Sequence, residues 1–215
     1  MHTWPNGNLL QIWAGRLERT GFSTELADVR AATRATEPDV RGIAFAWLGV
    51  HDDRGGLADI RAGFTDTYPP ARVEAARAAA MLGDPDARDH LRALLTVDWP
   101  ETALNAAAYL ADLGDSTGYV VLAPAATSPV EALRLQAALL VRAWLPFDHQ
   151  GAIDVVGVLR RAALEDPSPL VRREAVYQVA ALGPAISAPI LTQAIQDLDP
   201  AVAKAARLRV DAEVR

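Results

Sequence analysis

The residues of this chain that could perform catalysis are few and scattered. The four histidines form neither an HExxH pattern nor a His-x-His pair. The run His51, Asp52, Asp53 has side chains of metal-binding type, but it lies between predicted helices, where aspartate is ordinary turn material. No serine lies in a Gly-x-Ser-x-Gly pattern, and Arg54-Gly55-Gly56 lacks the lysine of a phosphate-binding loop. We therefore predict no catalytic residue, no metal site and no cofactor, and expect that the protein is not an enzyme.

The bulk composition narrows the function further. The chain has no cysteine, which excludes disulfides, thiolate zinc sites and a cysteine nucleophile. A net charge of −6 argues against a broad nucleic-acid or anionic-membrane surface. The start MHTWPNGNLL is unlike a secretory signal, and no segment approaches the ~18 apolar residues of a membrane span. We expect a cytoplasmic protein that does not bind membranes, with nucleic acid a disfavoured partner.

Arginines in several of the predicted second helices are the candidates for partner binding. These residues are Arg61, Arg88, Arg92, Arg160 and Arg161. If they line a groove, they could contact an acidic peptide or a phosphate backbone. Acidic residues such as Asp89 and Glu165 are interspersed among them, whereas a nucleic-acid groove normally carries unopposed positive charge. A mixed-charge, solvated face is therefore the favoured alternative.

The five tryptophans divide between predicted core and predicted surface. Trp47 and Trp144 lie within apolar helical segments and are expected in the core, whereas Trp99 lies at a turn. Trp4 and Trp13 lie near the N-terminus, where an exposed aromatic side chain would indicate a docking surface. The favoured alternative is that Trp13 packs the first helix pair onto the second.

Prolines that open alanine-rich segments reveal an internal repeat. They are Pro38, Pro69, Pro100, Pro129, Pro169 and Pro200, and the interval between them is nearly constant except for a longer one from Pro129 to Pro169. Proline is favoured in the first turn of a helix, and glycine just beyond its end. Leu-Gly pairs at 82–83, 113–114 and 182–183 accordingly predict three helix ends, and Leu48-Gly49 predicts that the first helix of the series ends early.

The composition favours an all-α fold. Hydrophobic residues make up 51% of the chain but aromatic residues only 6%, and 43 residues are alanine, the best helix former. Stacked helix pairs bury apolar faces that a single pair would expose. We predict one all-α domain over 1–215, with about six helix pairs and a terminal helix. Residues 8–35 form a divergent capping pair, and 38–213 form the regular repeats.

The strings EPDVR at 37–41 and SPLVR at 168–172, each followed by alanine and a Leu-Gly pair, resemble the HEAT repeat. The resemblance implies a right-handed superhelix of antiparallel helix pairs, a HEAT/armadillo-like solenoid, whose second helices line a concave surface. It also implies ladders between repeats, in which the arginine of the Val-Arg position meets an acid near a turn. Matching residues are Arg41, Arg72 and Arg172 for the base and Glu37, Asp166 and Asp199 for the acid.

This ladder leads to one specific prediction at residues 165–184. Because arginine recurs at the same offset from the proline, Arg172 is expected to meet Asp166 or Asp199 at a repeat junction. Arg173 does not recur and has no assigned role. Alanine occupies the arginine position that follows Pro100, Pro129 and Pro200, so that the ladder is interrupted there.

The leading functional hypothesis is a non-enzymatic scaffold or adaptor. It would bind a protein or peptide through the concave surface, as a monomer or in a hetero-complex. One alternative is a repeat-fold enzyme, such as the HEAT-like DNA glycosylases, which need a cationic cleft that the acidic charge disfavours. The bilin lyases are a second enzyme type, suggested by fold analogy alone. A regulatory subunit, stable only with a larger enzyme, is the remaining alternative.

Overall fold

The computed structural model describes residues 7–150 and 153–213, and every element within these ranges is helical. The α-helices there are α1 (Gly7–Arg19), α2 (Leu26–Ala32), α3 (Pro38–Val50), α4 (Leu57–Ala62), α5 (Pro69–Met81), α6 (Ala87–Ala93), α7 (Pro100–Asp112), α8 (Tyr119–Ala125), α9 (Glu131–Leu140), α10 (Val155–Glu165), α11 (Pro169–Val179), α12 (Pro184–Ala194) and α13 (Pro200–Glu213). Short 3-10 segments extend several of them, the longest being Val141–Gln150. His2 and Trp4 lie outside the described residues.

First and second helices alternate along the chain. The odd-numbered helices are the first helices of the pairs, and the even-numbered helices are the second helices. First helices of successive pairs pack on one another, as α3 does on α5 and α11 on α13. The chain divides into two compact units, unit 1 (Met1–Asp115) and unit 2 (Ser116–Arg215). The prediction of an all-α helical-repeat fold is confirmed, and no helix of the described ranges is long and apolar enough to cross a membrane.

Proline opens most first helices, because its fixed φ suits the first turn and its missing N–H has no partner there. Helices α3, α5, α7 and α11 all begin at a proline. The prediction that Pro129 opens a helix is wrong, because α9 begins two residues later at Glu131. The Ser128 hydroxyl accepts a hydrogen bond from the Val130 N–H and holds this turn. The repeat register therefore shifts by two residues at this point.

Glycines that follow helices have the backbone conformation that other residues rarely adopt. Gly83, Gly114 and Gly183 have φ values of +80°, +79° and +85°, which confirms the three predicted helix ends. Gly49 differs, because α3 continues through it to Val50. A Cβ atom at Gly49 would lie 2.8 Å from the Cα atom of Ala78. The prediction of an early helix end is wrong, and this glycine instead allows α5 to pack closely against α3.

Small residues and a few large side chains form the cores. In unit 1, Phe45 and Leu48 of α3 are buried and Trp47 is 8% exposed, while Trp13 packs partly buried against the same cluster. In unit 2, Trp144 is fully buried, and its ring meets the edge of the Tyr119 ring. The core positions predicted for Trp47 and Trp144 are confirmed. Unlike them, Trp99 is 38% exposed.

Candidate functional site

Arginines in the fourth position of first helices hold aspartates of the following repeat. The pairs of this first-helix ladder are Arg41–Asp66, Arg134–Asp166 and Arg172–Asp197. Each guanidinium binds both carboxylate oxygens through Nε and Nη2 at 2.7–3.1 Å. The arginine side chains are 12–15% exposed and the aspartates 5–9%. Such two-point, charge-assisted pairs fix geometry as well as contributing energy.

The same aspartates also organise the turns before the first helices. A carboxylate oxygen of Asp166 accepts a hydrogen bond from the Ser168 N–H at 2.8 Å, and Asp66 and Asp197 bind the N–H two residues on in the same way. Arg172 donates through Nη1 to the Asp166 carbonyl at 2.8 Å. The turn at Asp166 is therefore held by Arg134 and Arg172 together, which belong to successive repeats.

The predicted partners of Arg172 need correction. Its carboxylate partner is Asp197, and Asp166 contributes only its backbone carbonyl, because Arg134 holds the Asp166 side chain. Asp199 lies at the N-terminus of α13, where its carboxylate accepts from the Ala201 N–H at 2.8 Å. Sequence reasoning missed Arg134 because its offset is counted from Pro129, whereas the helix begins at Glu131.

The two other arginines predicted for this ladder, Arg41 and Arg72, both contact Asp66. Arg41 meets Asp66, in the turn that follows its own repeat, and not Glu37 beside it. Arg72 donates to the Asp66 carbonyl at 3.1 Å. Val97 occupies the place at which an aspartate would meet Arg72, shortly before Pro100. The ladder is therefore interrupted after Arg72.

A second ladder, which sequence reasoning missed, joins second helices of unit 1 to the turns that follow. This second-helix ladder consists of Arg30–Asp53, Arg61–Asp84 and Arg92–Asp115. The three arginines are equally spaced along the chain, and the three aspartates have that same spacing. The number of residues from each arginine to its aspartate is therefore constant. Nε of Arg61 lies 2.6 Å from Oδ2 of Asp84, and the corresponding distance from Arg92 to Asp115 is 2.8 Å. The aspartate side chains are at most 5% exposed.

These contacts favour the ionised form of Asp53 and Asp84. Hydrogen bonds from Arg30 lower the pKa of Asp53, and those from Arg61 lower the pKa of Asp84, against the opposing effect of burial. Backbone N–H groups add to this, because Oδ1 of Asp84 accepts from the Asp86 N–H at 3.0 Å. The inter-helix turn is thereby tied to the second helix of the preceding repeat.

The structure thus places three of the predicted binding arginines in contacts between repeats. Arg61 and Arg92 belong to the second-helix ladder, and Arg88 donates to the Leu113 carbonyl at 2.9 Å. The constant separation of arginine and aspartate along the chain is the sequence signal that could have revealed the ladder. It was obscured because aspartate is so common in turns.

The second-helix arginines of unit 2 are held less closely. Arg160 and Arg161 of α10 are 53% and 52% exposed. The ion pair of Arg160 with Glu165 is 3.8 Å long, and that of Arg161 with Asp154 is 3.5 Å long. Exposed pairs of this length contribute little to stability. Both guanidinium groups can therefore exchange these contacts for others.

Arg161 lies on the wall of a groove in unit 2. This α8–α10 groove has a volume of about 520 Å³. Residues that line it include Tyr119, Ala123 and Thr127 on the α8 side, and Val158, Arg161, Ala162 and Glu165 of α10. Arg134 and Asp166 also reach it but are bound to each other. Small side chains line part of the groove, among them Ala123 and Ala162, which we call its small-residue floor, and the exposed Arg161 and Glu165 add one positive and one negative charge.

The residues considered for metal chemistry have other contacts. Within residues 7–150 and 153–213, no group of three acidic or histidine side chains could hold a metal ion. His51 is exposed, and its ring stacks on Trp47 with centroids 4.6 Å apart. The centroid of the His90 ring lies 3.9 Å from that of Phe64. Arg173, which had no assigned role, donates to the neighbouring Glu174 at 3.0 Å.

Helix pairs joined by these ladders define the class, an all-helical repeat protein. A family model of HEAT repeats matches residues 26–111 of this chain. No curated protein matches the sequence. Among solved structures, human deoxyhypusine hydroxylase in complex with glycerol is similar, with 14% identity and a TM-score of 0.37 over 98% of this chain and 91% of that chain.

Proposed function

We propose that this HEAT-repeat protein is a non-enzymatic scaffold or adaptor that binds a protein partner through the second-helix surface of unit 2. The α8–α10 groove with the half-exposed Arg161 on its wall carries the proposal. Its size and open, small-residue lining suit a polypeptide segment. In this function, no residue of the chain has a catalytic role.

The charge distribution favours a protein over a nucleic acid. Arg61 and Arg92 are bound to buried aspartates, and Arg88 to a backbone carbonyl, so they do not form a free cationic track. Arg161 in unit 2 has Glu165 one helical turn away. A phosphate backbone would meet this anion as well as the cation, whereas a polypeptide can carry both signs of charge.

Site-specific photo-crosslinking tests the proposal. A photoreactive amino acid replaces Ala123, which is exposed in the groove, and in a second variant it replaces Lys204, which is exposed on α13. The purified full chain is irradiated in an extract of the source cells, and captured proteins are identified by mass spectrometry. We expect a defined protein to be captured at position 123 and not at position 204.

Two results would count against this function. Equal capture at both positions would indicate non-specific contact, and capture of no protein at position 123 would remove the groove as a protein-binding site. Conversion of a substrate by the purified chain would contradict its non-enzymatic character.

A further inference from the structure

The chemistry of the α8–α10 groove indicates what kind of polypeptide it binds. The following inference rests on the function proposed above and concerns the partner segment in direct contact with the groove. Its floor is formed by small side chains, among them Ala123 and Ala162, with the nearly buried Val158. A floor of this kind allows the main chain of a partner to approach closely and offers shallow apolar contact along its length.

The two exposed charges of the groove lie on the same face of one helix. Arg161 and Glu165 are four residues apart on α10, a rise of about 6 Å. Both are more than half exposed. The nearest carboxylate to Arg161 is that of Asp154 at 3.5 Å, and Asp154 is itself engaged as the cap of α10, accepting from the Gly157 N–H at 2.7 Å.

A ladder arginine provides the contrast within the same groove. Arg134 reaches the lining but is only 12% exposed and binds both oxygens of Asp166 at 2.8 and 3.1 Å. It has little capacity for a further ligand, whereas Arg161 can take a carboxylate at the two-point geometry that guanidinium groups prefer. Glu165 can likewise receive a cation in place of Arg160, which lies 3.8 Å from it.

One end of the groove supplies a donor for a main-chain carbonyl. The hydroxyl oxygen of Tyr119 accepts a hydrogen bond from the Asp154 N–H at 3.0 Å. Among the described residues, this hydroxyl donates no hydrogen bond of its own, so that its proton is available to a ligand. The Tyr119 ring packs at an angle of 61° to the ring of the buried Trp144, with centroids 6.1 Å apart.

From this geometry we infer that the groove binds an extended segment of about four residues that carries an acidic and a basic side chain two positions apart. In an extended chain, side chains at i and i+2 point to the same side and lie about 6.6 Å apart. This spacing matches the rise from Arg161 to Glu165. The acidic side chain of the partner meets Arg161 and the basic one meets Glu165, while the main chain lies over the small-residue floor.

Selection from a library of random seven-residue peptides displayed on phage tests the inference with the purified full chain. We expect enrichment of sequences with an acid and a base separated by one residue. A synthetic peptide of the enriched sequence is then titrated by calorimetry. Arg161→Glu is expected to weaken its binding about tenfold or more, because it places like charges together. Arg207→Glu, at an exposed residue of α13, is the matched control and leaves the affinity unchanged.

The exchanged variant Arg161→Glu/Glu165→Arg completes the test. It is expected to prefer the peptide with its acid and base exchanged, a result that misfolding cannot produce. The inference would be overturned if the selection enriched no sequence with an acid and a base separated by one residue. It would also be overturned if Arg161→Glu left the affinity for the selected peptide unchanged. If a partner is crosslinked at position 123 and its binding is unaffected by Arg161→Glu, the proposed function stands and this inference alone is wrong.

Discussion

Arg61 of unit 1 and Arg161 of unit 2 both lie on second helices and are about half exposed, yet their surroundings differ. Arg61 binds both oxygens of the Asp84 carboxylate, which is fully buried, whereas Arg161 lies 3.5 Å from an Asp154 side chain that is 60% exposed. Exposure of an arginine therefore does not identify a binding residue. The burial of its acidic partner is the better guide, because a buried carboxylate that loses its cation is costly.

The difference follows from local sequence. Ala123 occupies the position one ladder interval after Arg92, so that α8 has no arginine to continue the second-helix ladder. The 3-10 segment Val141–Gln150 then replaces the short turn that carries the ladder aspartate in unit 1. Unit 2 therefore contains pairs of the first-helix ladder. Its second helices have alanine and exposed charged side chains in place of the second-helix ladder.

The largest effect on stability is expected at the first-helix ladder, which has pairs in both units. Arg172→Ala leaves the nearly buried Asp197 carboxylate without its cation, and we expect a loss of about 2–3 kcal/mol in the free energy of unfolding. Chemical denaturation measures this loss. Arg173→Ala is the matched control, and a loss below about 1 kcal/mol is expected because this residue is more exposed. Equal losses in the two variants, or impaired partner binding by Arg172→Ala, would contradict the structural role.

A smaller loss is expected at the second-helix ladder. Asp84→Ala removes the ion pair with Arg61 and the bond to the Asp86 N–H, for an expected loss of about 1–2 kcal/mol. Asp89→Ala, at an acid that is 81% exposed, should change stability by less than about 0.5 kcal/mol. Amide hydrogen exchange should locate the loss in α4–α6. If the amide groups of α4–α6 in Asp84→Ala exchanged as slowly as in the natural chain, the second-helix ladder would not stabilise unit 1.

The ion pair of Asp84 makes the stability of unit 1 depend on pH. Because the folded-state pKa of Asp84 is lowered, its contribution to stability is complete above the unfolded-state pKa of about 3.9 and is lost as the pH falls toward the folded-state value. Unfolding measured between about pH 2 and 5 should therefore show a shallower pH dependence in Asp84→Asn, which has no carboxylate to protonate. Identical slopes for the variant and the natural chain would contradict the ion pair.

The smallest effect on stability is expected at the groove. Arg161→Ala should change the free energy of unfolding by less than about 0.5 kcal/mol, because its ion pair is long and exposed. Thermal melting compared with Asp84→Ala measures the contrast directly. A loss as large as that of Asp84→Ala would place Arg161 among the structural arginines and remove the distinction between the two units.

Much of the fold could be predicted from prolines, glycines and alanine content. These residues act locally, since proline fixes φ at a helix start and glycine permits positive φ at its end, so their positions report helix boundaries directly. The errors arose where a neighbour in space decides. The Leu48-Gly49 pair predicts a helix end, but Gly49 lies within α3, and its missing side chain makes room for Ala78 of α5.

The candidate site was harder to predict for the same reason. A sequence shows that Arg61 and Arg161 occur in second helices but not which acid each one meets. Arg134 was missed because a two-residue shift in the start of α9 moved it off the counted position. The aspartates of the second-helix ladder were missed because burial, which distinguishes Asp84 from Asp86, depends on packing against the preceding repeat.

The uniform spacing of the second-helix ladder has a consequence for changes in chain length. Because Arg30, Arg61 and Arg92 recur in step with their aspartates, excising one ladder interval would bring Arg30 into the relation with Asp84 that it now has with Asp53. Duplicating an interval would likewise supply each new arginine with an acid. A gene encoding this region can therefore lose or gain a repeat in a single recombination event and keep every arginine of the second-helix ladder paired with an aspartate.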